Sequence, residues 1–394
     1  MTTSRRARFS RALWGPVLGA SILAGGRLCA APSGAVAELG RKIFFDPGLS
    51  QPAGTSCASC HDPRHGFSGL NGSLVGLPRG SRPGHFARRT SPSLLYLRYV
   101  PQFRFFQEGD DPALQPFGGF FWDGRSDSIR ALVRQPLTNP DEMNNRDEAE
   151  VAVHLARAPY AADFAGVFGP VLDDPAATME AIGRAIEAYL TAADMAPFSS
   201  RFDDFVRGHA TLTVEEREGL RLFKDPAKGN CASCHTVNEG AGDPAASLFT
   251  DFGYDAVAVP RNELIHAATR PDLGLCERAA TETPSGEATY CINFRTPSLR
   301  NVALRGAFMH NGAFSSLREV VAFYASRDTD PRRWYRSGVR FDSVPRKFRG
   351  QVNVTAAPYG RRPGDPPALT DVEIDAIVAF LQTLTDAPGS TVEP

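Results

Sequence analysis

The pentapeptide Cys-Ala-Ser-Cys-His occurs twice in this chain, at Cys57–His61 and at Cys231–His235. Two copies in one chain constrain the fold before any other feature does, because Cys-x-x-Cys-His is the attachment sequence of c-type haem. Its two thiols add to the porphyrin vinyl groups and the adjacent imidazole binds the iron. Cys57, Cys60 and His61 are therefore expected to hold one covalent haem c, and Cys231, Cys234 and His235 a second. His61 and His235 are the expected iron ligands. Two covalent haems imply electron transfer or redox chemistry, and what remains is the group on the open face of each iron. Zinc or thiol-redox sites built on the same pairs leave the histidine after each pair unexplained.

Arg5, Arg6, Arg8 and Arg11 open the chain, an apolar run covers residues 12–26, and small residues follow at Ala30 and Ala31. This is the pattern of a secretory signal cut after Ala31, so residues 1–31 are expected to leave and the mature protein to work in the periplasm. The run is too short for a membrane span, and no later stretch reaches the length of one. Arg5-Arg6 does not argue for twin-arginine export, because c-type haem is attached after an unfolded chain has crossed the membrane. Of the seven cysteines, Cys29 leaves with the signal, and Leu28 is too bulky for a lipobox. Four cysteines belong to the haem sites. Cys276 and Cys291 remain, an even pair in an oxidising compartment, which predicts a disulfide. The formal net charge is −1, and without the five arginines of residues 1–31 it becomes −6. This mild acidity argues against a nucleic-acid partner.

The mature length of about 360 residues suggests two domains, and self-similarity along the chain supports this. Phe44-Phe45-Asp46-Pro47 precedes the first pentapeptide and Phe223-Lys224-Asp225-Pro226 the second. Thr90-Ser91-Pro92-Ser93-Leu94 follows the first and Thr296-Pro297-Ser298-Leu299 the second. Phe121-Trp122-Asp123-Gly124 with Ser128-Ile129 parallels Met309-His310-Asn311-Gly312 with Ser316-Leu317. The expected fold is mainly α: two cytochrome c-like haem domains, residues 32–205 and 206–394, related by an internal repeat. Helical spacing marks 179–190. A helix over 212–223 enters the second haem site, with Thr213 as cap and Glu216 three residues on. Asp371–Leu384 forms a last helix capped by Thr370. No region shows sustained strand alternation. Residues 238–293 and 328–368, rich in Gly, Pro and Arg, read as long ordered loops, a length that is usually functional or disordered.

Aligning Gly124 with Gly312 matches Trp122 to His310, Ile129 to Leu317, and Pro136 to Tyr324. If this last position faces the iron in both units, the two haems differ in kind. Proline has no donor atom and leaves the first iron open to peroxide. Tyrosine can bind iron through its phenolate, which would close the second. A hard anionic phenolate stabilises higher oxidation states, whereas a soft thioether favours ferrous iron. Met309, beside His310, is the rival sixth ligand, and a core aromatic on an amphipathic helix is the plain alternative for Tyr324.

With these motifs the chain resembles the bacterial di-haem peroxidase family, which includes cytochrome c peroxidases and MauG-like enzymes. The likeness rests on the two haem sites, on Phe121–Arg125, on Asn139-Pro140-Asp141-Glu142-Met143, and on Arg295–Val302. Val352-Asn353-Val354, Pro363-Gly364-Asp365 and the Cys276/Cys291 loop look nearest to its MbnH-like branch. The resemblance implies a Tyr-ligated second haem, and a reaction in which hydrogen peroxide produces a high-valent, bis-ferryl-like state that oxidises tryptophan on a partner protein. It makes Glu142 the distal acid, Trp122 a relay between the haems, and His310 a hydrogen-bond donor near the second haem.

The chain departs from the family at several points. Leu132 stands where a distal glutamine is common. Thr90, Arg305 and Ala307 fall at the interdomain calcium positions, and a cation at Arg305 makes calcium doubtful. Gly229 replaces the surface tryptophan through which MauG reaches its substrate. Trp334, in an Arg-rich loop, is a substitute exit, and His85 is the nearest candidate for a loop histidine that ligates the first haem at rest. His65, His154, His209 and His266 read as structural or exposed. The alternative function is a cytochrome c peroxidase that takes electrons from a small cytochrome or cupredoxin. A plain electron carrier would need both irons six-coordinate.

Overall fold

The computed structural model describes residues 33–107, 109, 113–265, 270–278 and 290–389. The expected signal with Cys29, and His266, lie outside them. Eleven helices are named here, α1 (Ser33–Phe45), α2 (Cys57–Cys60), α3 (Ile129–Thr138), α4 (Glu148–Ala156), α5 (Ala161–Phe168), α6 (Pro175–Leu190), α7 (Arg201–Val206), α8 (Val214–Lys224), α9 (Leu317–Ser326), α10 (Pro331–Trp334) and α11 (Asp371–Gln382). Between them run turns of 3₁₀ helix and extended chain. Among the described residues no helix is long and apolar enough to cross a membrane.

Two hydrophobic cores form. The first gathers Ile43, Phe44, Phe67, Val133, Ile182 and Tyr189 from α1, α3, α6 and the chain between them. The second gathers Leu222, Phe223, Phe249, Phe323, Ile377 and Phe380 from α8, α9, α11 and the adjoining loops. Phe202 and Phe205 of α7 pack in the second core, while Met195 and Ala196 pack in the first. The change of core therefore falls a few residues ahead of the 205/206 boundary expected from the sequence.

Several local geometries occur once in each core. α1 crosses α6 at Gly40, where an added Cβ would strike the Ala185 carbonyl. α8 crosses α11 at Gly219, where it would strike the Ala376 carbonyl. Only glycine lets two helix backbones approach so closely. α3 and α9 each start at a serine, Ser128 and Ser316, whose hydroxyl accepts from the amide three residues on. Phe121 and Met309 both adopt left-handed backbone, as do Gly124 and Gly312.

The capping expectations correspond to real elements. The Thr213 hydroxyl accepts from Glu216 N, and the Glu216 carboxylate accepts from Thr213 N. Thr370 and Glu373 make the same reciprocal pair at α11. Four strands were not anticipated. β1 (Arg104–Gln107) pairs antiparallel with β2 (Leu114–Phe117), and β3 (Tyr254–Asp255) with β4 (Phe294–Arg295). At two to four residues they are too short for alternation to be read from sequence.

The two cores meet along a polar seam. Buried Arg300 holds Asp203 at 3.0 Å. Asp386 accepts from Tyr96 Oη, Asn301 Nδ2 and Ser199 N. Cys276 and Cys291 are disulfide-bonded, as expected, closing a segment with a sequence separation of 15. Residues beside Cys276 cross to the first half: Asp272 pairs with Arg89 at 2.7 Å, Glu277 with Arg88 at 2.5 Å, and Arg278 with Asp127 at 2.9 Å.

The crossings give opposed expectations for three glycines. Gly40→Ala and Gly219→Ala should each lower stability by about 1–3 kcal/mol through overpacking against backbone that cannot yield. Gly166→Ala in α5, where a Cβ meets nothing within 4 Å, should raise it by about 0.5–1 kcal/mol. Thermal unfolding of the three variants checks the signs.

Candidate active site

The two pentapeptides present their histidines in the same way. His61 Nδ1 lies 3.0 Å from the Phe67 carbonyl, and His235 Nδ1 lies 2.9 Å from the Phe249 carbonyl. A carbonyl only accepts, so Nδ1 carries the proton in each ring and Nε2 keeps its lone pair. Withdrawal from water pulls the His61 imidazole down to about 4 and lowers that of His235. Both rings are therefore neutral and oriented, as iron ligation through Nε2 requires. Phe67 and Phe249, which supply the two carbonyls, are fully buried and left-handed, with φ of 55° and 54°. The four pentapeptide cysteines are free of disulfides. Burial pushes the thiols of Cys57, Cys60 and Cys231 up to about 12 and that of Cys234 to about 11.

A cavity of 1510 Å³ opens against the second pentapeptide. This exceeds the usual ligand pocket of about 300–1,000 Å³. Cys231, Cys234, His235, Trp122, His310 and Tyr324 all line it. Free thiols, a neutral oriented imidazole and a large, partly apolar chamber fit a c-type haem. Cys57, Cys60, His61, Pro136 and Glu142 are not among the lining residues.

Tyr324 is the eighth residue of α9, and Pro136 is the eighth residue of α3. Burial pushes the Tyr324 phenol well up, so only a cation at its oxygen would make it a phenolate. Its ring stacks on Tyr359, centroids 6.0 Å apart and planes 25° apart. The buried Tyr359 hydroxyl has no hydrogen-bond partner among the described residues. Met309 lines the same chamber, and its carbonyl accepts from Thr90 Oγ1 at 2.7 Å.

In the first half, Glu142 is half-buried and Asn139 Nδ2 donates to its Oε1 at 2.8 Å. Burial raises the Glu142 carboxyl, against the opposing pull of Arg125. Its charge also raises the Cys60 thiol, which sets it beside the first pentapeptide. Arg125 is held by Asp123 Oδ1 at 2.8 Å and Gln135 Oε1 at 2.7 Å and lies 3.6 Å over the Phe121 ring.

Thr90 connects the two halves at the site. Its carbonyl accepts from Trp122 Nε1 at 2.9 Å, and its amide donates to the His310 carbonyl at 2.8 Å. The His310 ring stacks flat on Phe294, with centroids 3.7 Å apart and planes at 12°. Burial pulls His310 down to about 4, so it is neutral. The sequence marks Thr90 as the start of a repeated Thr/Ser/Pro segment and as a calcium position, not as a bridge. Its bridging role, Phe294 and Tyr359 depend on neighbours distant in the chain, which leave no local signal.

Other expectations change. Trp334 does not sit in an exposed loop: it ends α10, donates to Ser326 Oγ at 3.0 Å, and packs edge-on against Phe314 and Phe323. Gly229 has no room for a side chain, because a Cβ would lie 2.7 Å from the Leu222 carbonyl. Leu132 packs against the first core. His85 lines the cavity, with Nδ1 on Asp141 Oδ1 at 2.8 Å. His65 and His209 are exposed, and buried His154 Nδ1 has no partner among the described residues. Arg305 reaches both other expected calcium positions, at 3.3 Å from Ala307 O and 3.4 Å from Thr90 Oγ1.

Such a site defines a protein built around two haem-binding pentapeptides and a tryptophan-bearing junction between two cores. A family model described as di-haem cytochrome c peroxidase matches residues 34–211. The methylamine utilization protein MauG of Paracoccus denitrificans is 35% identical over 376 residues, covering 89% of each chain. The crystal structure of the diheme peroxidase BthA from Burkholderia thailandensis superposes with a TM-score of 0.86 at 50% identity, covering 91% of this chain and 87% of that one. A MauG-like protein associated with microbial copper homeostasis gives a TM-score of 0.59 at 25% identity, covering 91% and 93%. The chain belongs to the di-haem cytochrome c peroxidase/MauG family and is an oxidoreductase, and that family implies two c-type haems.

The disulfide-tied segment secures the Trp122 side of the junction: Arg278 also donates to the Gly124 carbonyl, and Arg89 bridges Asp123 and Asp272. Replacing Cys276 and Cys291 together by serine should lower stability by about 3 kcal/mol, the value for a loop of this length. The fluorescence of Trp122 should change in the same variant, which emission spectra of the native state would show.

Proposed function

We propose that this protein is a periplasmic oxidase that reacts with hydrogen peroxide at one haem and holds a second, tyrosine-capped haem in reserve. The carrying observation is the pairing of Pro136 and Tyr324 at the same step of equivalent helices. A donor-free residue would leave the first iron open, and a phenolate would close the second. The matched histidine bonds, helix crossings and serine caps support two units related by an internal repeat, with Cys57/Cys60 and Cys231/Cys234 as covalent attachments.

Bound haem supplies an iron at which peroxide is cleaved and the redox equivalents that follow. The protein's part is proton handling and positioning. Glu142 takes the proton from the near peroxide oxygen and returns it to the departing one, with Asn139 orienting its carboxylate. Trp122, held by Thr90 and the backbone of Arg295, is placed to pass an electron between the two sites. The Arg305 guanidinium stands in place of an interdomain calcium ion.

The equivalents go, on this reading, to tryptophan on a small secreted partner protein, as the likeness to MauG suggests. The second reading is a peroxidase drawing electrons from a small cytochrome or cupredoxin, favoured by the 50% identity to a protein described as a diheme peroxidase. Rapid steady-state oxidation of a reduced donor would select the second. Slow turnover with a long-lived two-equivalent oxidised state would select the first.

Glu142→Gln should slow peroxide activation by about 10²-fold or more with both haems retained, and stopped-flow mixing with peroxide tests this. The base form of Glu142 is the ionised one and burial raises its carboxyl. The wild-type rate should therefore fall on acidification from above the ordinary carboxylate range, and the Gln variant should lose that limb. Tyr324→Phe should abolish the low-spin ferric signal of one haem in electron paramagnetic resonance, and an unaltered spectrum would remove Tyr324 as a ligand.

A further inference from the structure

Among the described residues, most arginines withdrawn wholly or largely from solvent are paired. Arg300 holds Asp203, Arg327 holds Asp328, Arg89 holds Asp123 and Asp272, and Arg278 holds Asp127. Arg295 and Arg305 differ. Arg295 is 8% exposed, and its Nε donates only to the Phe121 carbonyl at 3.3 Å. Arg305, half-buried, makes two long bonds to neutral oxygens, Ala307 O and Thr90 Oγ1. Among the described residues neither pairs with a carboxylate, and both line the cavity beside the second pentapeptide.

A guanidinium keeps its charge at any physiological pH, so removing it from water requires an anion nearby. For Arg305 burial alone acts, pulling it down to about 10. Of the acids nearby, Asp203 is committed to Arg300 and Asp272 to Arg89, while Asp386 accepts from Tyr96, Asn301 and Ser199 and Asp255 from Asn353, and none of them bonds Arg295 or Arg305. An anion that belongs to neither half must complete the site. A haem carries two propionate carboxylates on the edge opposite its vinyl thioethers, and the family implies two such groups.

We infer that Arg295 and Arg305 are propionate-binding residues, each neutralising a haem carboxylate at the junction of the two cores. Arg305 reaches across to Thr90 Oγ1 of the first half at 3.4 Å and serves the first haem. Arg295 immediately precedes Thr296 and Pro297, which line the same chamber as His235, so Arg295 serves the second. Arginine suits this task because its planar fork can bind a carboxylate through two parallel N–H bonds. The assignment does not depend on Tyr324 as a ligand or on the fate of the oxidising equivalents.

The test uses the full haem-loaded protein, with Arg295→Met and Arg305→Met as charge-removing variants and Arg→Lys at each position as charge-conserving ones. Spectroelectrochemical titration reads the midpoint potential of each haem from mildly acidic to mildly alkaline pH, and resonance Raman reads the propionate bending bands. The wild-type potentials should be flat with pH, because a paired propionate stays ionised. Arg305→Met should lower the potential of the first haem and make it pH-dependent, Arg295→Met should do the same to the second, and each should move the propionate bands. Lysine should restore most of each shift. Met variants with full haem content and wild-type potentials and bands would overturn the inference. If neither Met variant incorporates haem, the wild type alone decides: pH-dependent potentials of propionate origin would equally overturn it, and flat ones support it.

Discussion

The arrangement depends on one hydrogen bond made twice, from a histidine Nδ1 to the carbonyl of a left-handed phenylalanine. A non-glycine residue with φ near 55° is strained by about 1–3 kcal/mol and persists only where its surroundings over-determine it. Here the determinant is the ring. Phe67 and Phe249 are each fully buried in their own core, so the ring cannot leave without opening apolar surface worth ~2–3 kcal/mol. The core thus holds the backbone turn, the turn aims the carbonyl, and the carbonyl fixes the imidazole tautomer. The chemistry of each site is set by hydrophobic packing that never touches the reacting atoms.

Between the two halves the logic is polar. Thr90 uses its amide, carbonyl and hydroxyl at once, on His310, Trp122 and Met309 respectively. One residue therefore registers the indole of the first half against the second. The paired charges of Arg89 with Asp123 and Asp272 are largely withdrawn from solvent, and buried Arg278 reaches an exposed partner in Asp127. Such pairs contribute less to net stability than to a single arrangement, since each would be costly to leave broken. On the proposed reading Trp122 is a relay, which needs that uniqueness more than extra stability, because its coupling to neighbours depends on a fixed separation.

Much of this is legible in the residues. The pentapeptides, the capping boxes at Thr213 and Thr370, the disulfide and the register that matches Pro136 to Tyr324 are local or periodic signals. The rest is set by distance along the chain. Trp334 reads as exposed because arginines flank it, yet its indole turns inward onto Phe314 and Phe323. The β-strands are invisible because pairs of two to four residues have no period. Arg305 stands out in the sequence only as an objection to calcium. Its lack of a carboxylate partner cannot be read there, since that depends on which acids the fold assigns to other arginines. The boundary between the cores shifts for a similar reason: α7 is apolar on one face, and only the fold decides which core that face joins.

The glycine crossings of α1 on α6 and α8 on α11 have a wider consequence. Where side chains separate two helices, a substitution can be absorbed by sliding or repacking. Where main chain meets main chain, the spacing is dictated by the backbone atoms alone. Each frame is therefore insensitive to the identity of the residues that its other helices present. One half can present a proline and the other a tyrosine at the same step without either skeleton adjusting, so divergent chemistries can share one scaffold.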